Sequence, residues 1–420
     1  MIKKIKLSYV GNVFAVLLIL FVGAYAEHKT QYLDRYSKLN AASDNKNIQS
    51  QLSRIKEAAV PEGKENVDFS TFWEVWSILE SGYIDQEKID AGKMVDGAIG
   101  GMTSALGDPY TMYLPPKENE RSGQDLAGSF YGVGIELGYI NGFLAAVSPL
   151  NGSPAALAGV EAGDYIVRVK DIAKDLDEDS SKWSLTKAVD IIRGPKDTEV
   201  TLSLVREGVD EPFDITIKRG EIIVESVTME FVEHAGKKVA HIKLSRFGER
   251  TDAEWDLVVN EILAQKDSLN GVILDVRNNP GGFFDVAIDM SSEFIEDGVV
   301  VSQQDRLTKQ DYSARGQARL KDMELEVLIN RGSASASEIV AGAVRDRLGA
   351  KLIGENSFGK GTVQDRIGLS NGGGLHVTVA KWLLPGGEWI HETGIPVDIE
   401  VEANPDTPED EQLLRAIEEI

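Results

Sequence analysis

No cysteine occurs anywhere in the 420-residue chain. That absence removes disulfides, thiolate nucleophiles, Cys-ligated zinc and iron–sulfur clusters together, so any chemistry falls to oxygen and nitrogen groups. Histidine is scarce: His28, His234, His241, His376 and His391 are the five, and none stands in an HExxH or HxH pattern with metal-ligand spacing. A zinc hydrolase is disfavoured, and neither a metal nor another cofactor is expected. Positive charge is short too, with 44 Lys and Arg against 68 Asp and Glu and a net charge of −24. A surface of that sign repels phosphate backbones, so no nucleic-acid partner is expected. Internal repeats and low-complexity segments are missing as well.

What is present fits an ordinary folded protein, 42% hydrophobic and 27% charged. At roughly 150 residues per domain its length predicts two or three domains. One long apolar run stands near the start, residues 7–26, LSYVGNVFAVLLILFVGAYA. As a helix rising ~1.5 Å per residue it just spans a ~30 Å hydrocarbon core. Lys3, Lys4 and Lys6 precede it, a flank that stays cytoplasmic and sends the rest of the chain across. Two readings are open: a single-pass membrane anchor, or a cleaved signal peptide with Ala24-Tyr25-Ala26 as a small-x-small site. Both put the bulk of the chain outside the cytoplasm, a compartment that suits a protein without free thiols.

Six segments follow from the pattern: an anchor or signal at 1–26, a polar arm at 27–65 with a helix around 47–59, a helical part at 66–117, a β-rich module at 118–220, an α/β core at 221–403 and a closing helix at 404–420. In the helical part, Phe69, Phe72, Trp73, Trp76, Ile78 and Leu79 recur at three- and four-residue spacings, which predicts a helix burying one face. A second helix at 94–106 ends at Gly107-Asp108-Pro109, where glycine caps and proline blocks continuation. The module shows short β-like runs and one helix at 185–192. In the core, strands VAHIKL, GVILDV and LEVLIN alternate with helical stretches at 253–265, 284–294 and 338–348, an α/β signature. Thr407-Pro408-Glu409-Asp410 reads as a helix start, with Leu413, Leu414 and Ile417 on one face.

Residues 131–138 read YGVGIELG. A GxG pattern alone serves any tight turn. Its N–H groups can also converge on an anion, and an exposed strand beginning at Ile135 can accept a peptide as an added strand. Downstream come GSPAALAGVEAGDYIVRV, a helix ending in Ile191-Ile192-Arg193-Gly194-Pro195, and TEVTLSLVRE. In this order the segment resembles a PDZ domain of the circularly permuted bacterial kind. The resemblance implies a peptide-binding loop at Gly132, Val133, Gly134 and Ile135, with free C-termini of proteins or peptides as ligands.

Residues 331–340, RGSASASEIV, follow an apolar strand and open a helix. Ser335 with Glu338 forms a capping box, in which the hydroxyl satisfies helix N–H groups. A helix N-terminus also stabilises a developing oxyanion, so a hydroxyl there is a nucleophile if a base stands close. No histidine lies in a triad motif. GENSFGKGTVQ, residues 354–364, offers Lys360 between two glycines. On a surface this lysine is inert; as a base it must fall ~3 units from ~10.4, which burial can supply to lysine but not to arginine. Gln364 is ~13 Å from Lys360 in a straight strand, so contact needs a bend, which Gly361 permits. Local sequence leaves both readings open.

SASASE and FGKGTVQ resemble the carboxyl-terminal processing (tail-specific) peptidases, which use a Ser/Lys dyad supported by glutamine. ALGDPYT from Ala105, LDVRNNPGG from Leu274 and ETGIPVDI from Glu392 are similar to segments of the same family, and the resemblance covers residues 66–420. It implies an α/β catalytic core of mixed sheets with helices, crotonase-like, joined to a β-rich PDZ domain and an N-terminal helical segment after the membrane anchor. Ser335 is then the nucleophile, Lys360 the general base, Gln364 the residue orienting the lysine, and Asp346 a structural partner. The oxyanion hole falls to the N–H of Ala336 and a donor of the Asn279-Pro280-Gly281-Gly282 turn, taken at Gly282; a plain strand-to-helix connection explains these glycines equally well. The resemblance further implies a PDZ domain that covers the active site at rest, and a homodimer. The expected protein is an endopeptidase of the bacterial cell membrane acting outside the cytoplasm, with a secreted, cleaved form as the alternative. A catalytically silent PDZ adaptor is the competing class. A Ser/His/Asp protease of the high-temperature-requirement kind lacks a GNSGG-like loop here.

Overall fold

The computed structural model describes residue 64 and residues 66–420 apart from 405, 406 and 408. The apolar run at 7–26, the helix expected around 47–59 and most of the arm lie outside the described residues. Among the described residues no helix is long and apolar enough to cross a membrane.

The described residues up to 95 and those from 96 to 420 fall into two compact units. In the first, α1 (Ser70–Gly82) carries the aromatic stripe, and α2 (Ala91–Ser104) begins where the unit ends. The stripe corrects an expectation: no residue of α1 is buried. Phe69, Phe72, Trp73 and Trp76 pack on one another instead, with ring centroids 4.8 to 6.1 Å apart, while Ile78 and Leu79 stay exposed. The periodicity is that of an amphipathic helix; whether a partner covers its face is a tertiary matter.

In the second unit, β1 (Met112–Leu114) and α3 (Pro116–Ala127) precede the β-rich module. Gly128 ends α3 in the left-handed conformation at φ +66°. The module runs β2 (Ser129–Gly132), β3 (Ile135–Ile140), β4 (Phe143–Pro149), α4 (Pro154–Ala158), β5 (Tyr165–Asp171), β6 (Leu176–Asp179), α5 (Leu185–Ile192), β7 (Glu199–Val205), β8 (Phe213–Lys218) and β9 (Gly220–Ile223). Its sheet has the order β3-β4-β5-β7-β8, with β6 on β5, and β2 pairs antiparallel with β9 where the chain enters and leaves. Alternation explains the core: Val200, Leu202 and Leu204 of β7 point inward with Ile166, Val169, Ala188 and Ile192.

The core continues with β10 (Val227–His234), β11 (Lys237–Leu244), α6 (Thr251–Gln265), β12 (Gly271–Asp275), α7 (Phe284–Ser292), β13 (Val299–Gln304), β14 (Lys309–Ser313), β15 (Glu324–Ile329), α8 (Ala336–Leu348), β16 (Leu352–Gly354), β17 (Thr362–Gly368), β18 (Gly374–Leu383), β19 (Ile399–Glu400) and α9 (Glu411–Glu419). One sheet is β10-β11-β12-β15-β16-β19, parallel except for the β10–β11 hairpin. Both faces are covered, as parallel strands require. Ala240, Ile242, Val272, Leu274, Val327 and Ile329 meet the cluster containing α6, α7 and α8. Val239, Ile273, Leu328 and Ile353 meet Leu413, Ala416 and Ile417 of α9. A second sheet, β1-β18-β13-β14 with β17 on β18, carries the far wall of the site.

The cap of α9 differs from expectation. Asp410, not Thr407, caps it, its Oδ1 accepting the Leu413 N–H at 3.0 Å. The same carboxylate takes Arg277, whose Nη2 lies 2.7 Å from Asp410 Oδ2 and 2.6 Å from Asp275 Oδ2. Burial works against the Asp275 carboxylate, but His241 and Arg277 outweigh it and hold the carboxyl at about 2. Asp410 thus combines a local N-cap with a long-range ion pair.

Candidate active site

Strands β12 and β15 lie parallel and end together, and the loops leaving them meet at the edge where open α/β sheets form a crevice. From β12 comes the Asn279-Pro280-Gly281-Gly282 turn; from β15 comes the segment entering α8 through Ser335. Three serines of that segment divide by hydrogen bonding. Ser333 Oγ donates to the Val276 carbonyl at 2.8 Å and Ser337 Oγ to the Asn279 carbonyl at 2.9 Å, both fully buried. They pin one loop to the other. Ser335 is the half-buried member, on the cavity.

Gly281 permits the close approach: at φ +98°, a Cβ there would stand 2.7 Å from the Ala334 carbonyl and 3.0 Å from Ser335 Cβ. Ser335 itself has φ +55° and ψ −113°. That region belongs to the first central residue of a type II′ turn, where glycine dominates. Strain of this kind persists where surroundings over-determine it, and it gathers at functional sites. The capping box is present: the Ser335 side chain stands at the Glu338 N–H in a contact looser than a full hydrogen bond, and the Glu338 carboxylate accepts the Ser335 N–H.

Glu338 is fully buried and accepts four donors. Its Oε2 takes the N–H of Ser335 at 2.7 Å and of Lys360 at 2.9 Å; its Oε1 takes the N–H of Gly359 and the Ser357 hydroxyl, each at 2.6 Å. Burial pushes its carboxyl above the usual range against the pull of those donors. Burial also lowers the Lys360 amine, more than the charges of Glu338 and Asp108 raise it. The Lys360 Nζ lies 5.3 Å from the centre of the Tyr110 ring.

Ser335, Lys360 and Gln364 line one cavity of about 340 Å³, together with Arg246, Arg366 and His376. Gln364 reaches it through a bulge: the β17–β18 register shifts between Val363 and Gln364, so the bend lies there rather than at Gly361. Gly361 serves packing, since a Cβ would come within 2.8 Å of Trp389 Nε1. The Gln364 amide donates to Thr362 Oγ1 at 2.9 Å and Thr378 Oγ1 at 3.1 Å rather than meeting Lys360. Ala336, first residue of α8, and Gly282 both line the cavity, and among the described residues neither N–H donates a hydrogen bond. Asp346 does not line it; its Oδ2 accepts the Gly386 N–H at 3.1 Å.

In the module, Gly132, Val133, Gly134 and Ile135 form the turn into β3. Val133 is buried, and its carbonyl accepts the Ala155 N–H at 2.9 Å. Gly134 sits at φ +75° with no room for a side chain, a Cβ falling 2.4 Å from Ser153 Cβ. Strand β3 is the edge of its sheet, paired only with β4 among the described residues.

Sequence reasoning assigned Glu338 only its role within one helical turn and missed its hold on Lys360, because residues 357–360 reach it through the fold. His376 was also missed: it lines the cavity, accepts from Arg366 Nε at 3.2 Å, and is held below the usual histidine range by burial and then by Arg366 and Lys360. No motif marks it.

Peptidase family S41 matches residues 238–401, and the N-terminal domain of the activating protease CtpB matches residues 20–118. The carboxy-terminal-processing protease of Bartonella bacilliformis is 40% identical over 319 residues, covering 74% of this chain and 70% of its own length. The carboxy-terminal processing protease CtpB of Bacillus subtilis is 31% identical over 359 residues, covering 84% and 72%. The solved photosystem II D1 C-terminal processing protease aligns over 82% of this chain and 95% of its own, with 29% identity and a TM-score of 0.47. On the strength of the first two relatives, the chain belongs to peptidase family S41 and is a carboxy-terminal processing serine protease, a hydrolase.

Proposed function

We propose that Ser335 is the nucleophile and Lys360 the general base of this protease. The observation that carries the assignment is that both side chains face one cavity, their amides held by a single Glu338 oxygen, with the Lys360 amine depressed by burial. Neutral Lys360 takes the Ser335 proton as Oγ attacks the scissile carbonyl; the N–H groups of Ala336 and Gly282 receive the oxyanion; protonated Lys360 gives its proton to the leaving amine; water activated by the lysine then hydrolyses the acyl-enzyme. Gln364 joins once its amide is available to orient Lys360. A silent adaptor has no use for a half-buried, depressed lysine on the same cavity as a serine at a helix start. The test is hydrolysis of a linear peptide by Ser335→Ala and Lys360→Ala: loss in both is expected, and activity in either overturns the dyad.

The PDZ-like module captures free C-termini of substrates along β3, with the Gly132–Ile135 turn receiving the carboxylate. Its support is an edge strand with an unpaired row of backbone groups beside that turn. The apolar run behind three lysines anchors the chain and puts the protease outside the cytoplasm; fractionation after alkaline extraction tests this, with release as a soluble full-length chain the contrary result. The apolar residues Phe69, Val75, Ile78 and Leu79, exposed at and along α1, support a homodimer, which sedimentation of the full chain tests against a monomer.

A further inference from the structure

The charge balance of the cavity runs against that of the chain. The protein carries a net charge of −24, yet Arg246, Lys360 and Arg366 line the cavity with Ser335, and Asp125 is the one carboxylate among the lining residues. Arg246 takes up that carboxylate: its Nη1 lies 3.7 Å from Asp125 Oδ1 and also donates to the Asp125 carbonyl. Arg366 is left over, with no ion pair among the described residues. Its Nε donates to His376 Nε2 at 3.2 Å and its Nη2 to the Ser122 hydroxyl at 3.1 Å. Both partners are uncharged. A ring nitrogen that accepts carries no proton, which agrees with a histidine held below its usual range by burial and then by Arg366 and Lys360.

The ladder explains why the guanidinium has no acid of its own. Beyond the bulge, β17 and β18 pair regularly, Gln364 with Thr378, Asp365 with Val377 and Arg366 with His376. Alternate residues of a strand share a face, so Gln364 and Arg366 line the cavity together while Asp365 does not. The acid next to Arg366 in sequence is thereby turned away from it. Two strand residues span about 6.6–6.8 Å, the same interval that separates alternate side chains of an extended peptide. A guanidinium is always charged and offers five N–H donors in a planar fork that matches a carboxylate. With one on His376 and one on Ser122, the rest are open to a ligand.

We propose that Arg366 is a specificity-determining residue of the protease: it receives an acidic side chain, Asp or Glu, that the substrate carries within about three residues of the scissile bond. This rests on the reading of Ser335 as nucleophile, which puts the scissile bond in this cavity. A peptide bound there strips water from the guanidinium, a cost that a carboxylate on the peptide offsets and a neutral side chain does not. Tuning of the base is not the role of Arg366, since the charges acting on the Lys360 amine are those of Glu338 and Asp108. Latching α3 through Ser122 is the competing role, and it makes no distinction between acidic and neutral substrates.

The experiment takes a linear neutral peptide that the full chain cleaves at one bond, and places Glu, Gln or Lys singly at each of about three positions on either side of that bond. Every peptide keeps a free C-terminus, so capture by the PDZ-like module is the same throughout. At one position the parent should cleave the Glu peptide with kcat/KM at least about fivefold above the isosteric Gln peptide, mostly through KM. Arg366→Gln should bring that ratio to about one, and Arg366→Glu should make the Lys peptide the preferred one, a reversal that a merely structural role would not produce. Ser122→Ala, which removes the latch alone, should keep the preference for Glu. A parent ratio of one at every position, or a ratio undiminished in Arg366→Gln, overturns the proposal. Ser335→Ala and Lys360→Ala run alongside: activity in either defeats the underlying dyad, whereas their inactivity beside a parent indifferent to Glu defeats only the role of Arg366.

Discussion

The backbone amides of Ser335 and Lys360 share one acceptor, Glu338 Oε2, at 2.7 and 2.9 Å. Nucleophile and base of the proposed dyad, 25 positions apart in sequence, are thus registered by their main chains. Both residues line the same cavity.

Glu338→Gln should disturb both halves together. An amide replaces one acceptor oxygen with a donor facing N–H or O–H groups, so stability should fall by about 1–3 kcal/mol and kcat at least tenfold. Denaturant unfolding and peptide hydrolysis check this; unchanged kcat with reduced stability would confine Glu338 to folding.

Strain at Ser335 separates stability from activity. Ser335→Gly should raise stability by about 1 kcal/mol, because glycine adopts positive φ without penalty, while Ser335→Ala should lower it by about 0.5–1 kcal/mol, since it removes the side-chain half of the capping box. Both should lose at least ~10³-fold in kcat. Urea midpoints and turnover of one peptide report the two quantities.

For Lys360 the pH sign is fixed by its role. The neutral amine is the base, so kcat/KM should rise with pH through a lysine depressed below its usual range by burial. Lys360→Arg should be inactive at every pH, because guanidinium stays charged. A pH–rate profile that falls across the same range would contradict the assignment.

The edge strand β3 predicts dependence on the substrate's end. Amidating the C-terminus of a peptide should slow cleavage at least severalfold through weaker capture, raising KM more than it lowers kcat. Equal rates for free and amidated peptides would remove the module from substrate selection.

Burial raises Glu326 to about 7, against 4.5 for an ordinary glutamate. Between these pH values the folded chain holds a proton that the unfolded chain has released, so stability falls as pH rises through that window. Glu326→Gln should therefore be more stable than the parent above pH 7, by roughly 1–2 kcal/mol after allowing for solvent contact, and equal to it near pH 4.5. Its carbonyl can still accept the Lys351 N–H, now at 2.5 Å from Glu326 Oε2. Denaturant midpoints at the two pH values measure the difference.

Much of the scaffold was legible because it is local. The helix at 185–192 appears over the same residues, and the helical stretches at 253–265 and 338–348 each begin two residues earlier. Periodicity of apolar residues sets such elements without help from the rest of the chain. The α1 stripe has the same period, yet no residue of that helix is buried, which periodicity cannot foretell. At α9 a second local N-cap residue, Asp410, holds the start in place of Thr407, and Arg277 from β12's loop pairs with it.

For the site, the sequence alone determined the chemical repertoire. The absence of cysteine removed thiolate chemistry, and the motifs around Ser335 and Lys360 carried the family resemblance that implies their roles. Only the tertiary structure decided which serine lines the cavity, by engaging Ser333 and Ser337 across the loops, and which groups surround the lysine. Burial is the reason. A depressed amine, a four-coordinated Glu338 and an oriented Gln364 all depend on neighbours that lie far away along the chain and are brought close by the packed sheets.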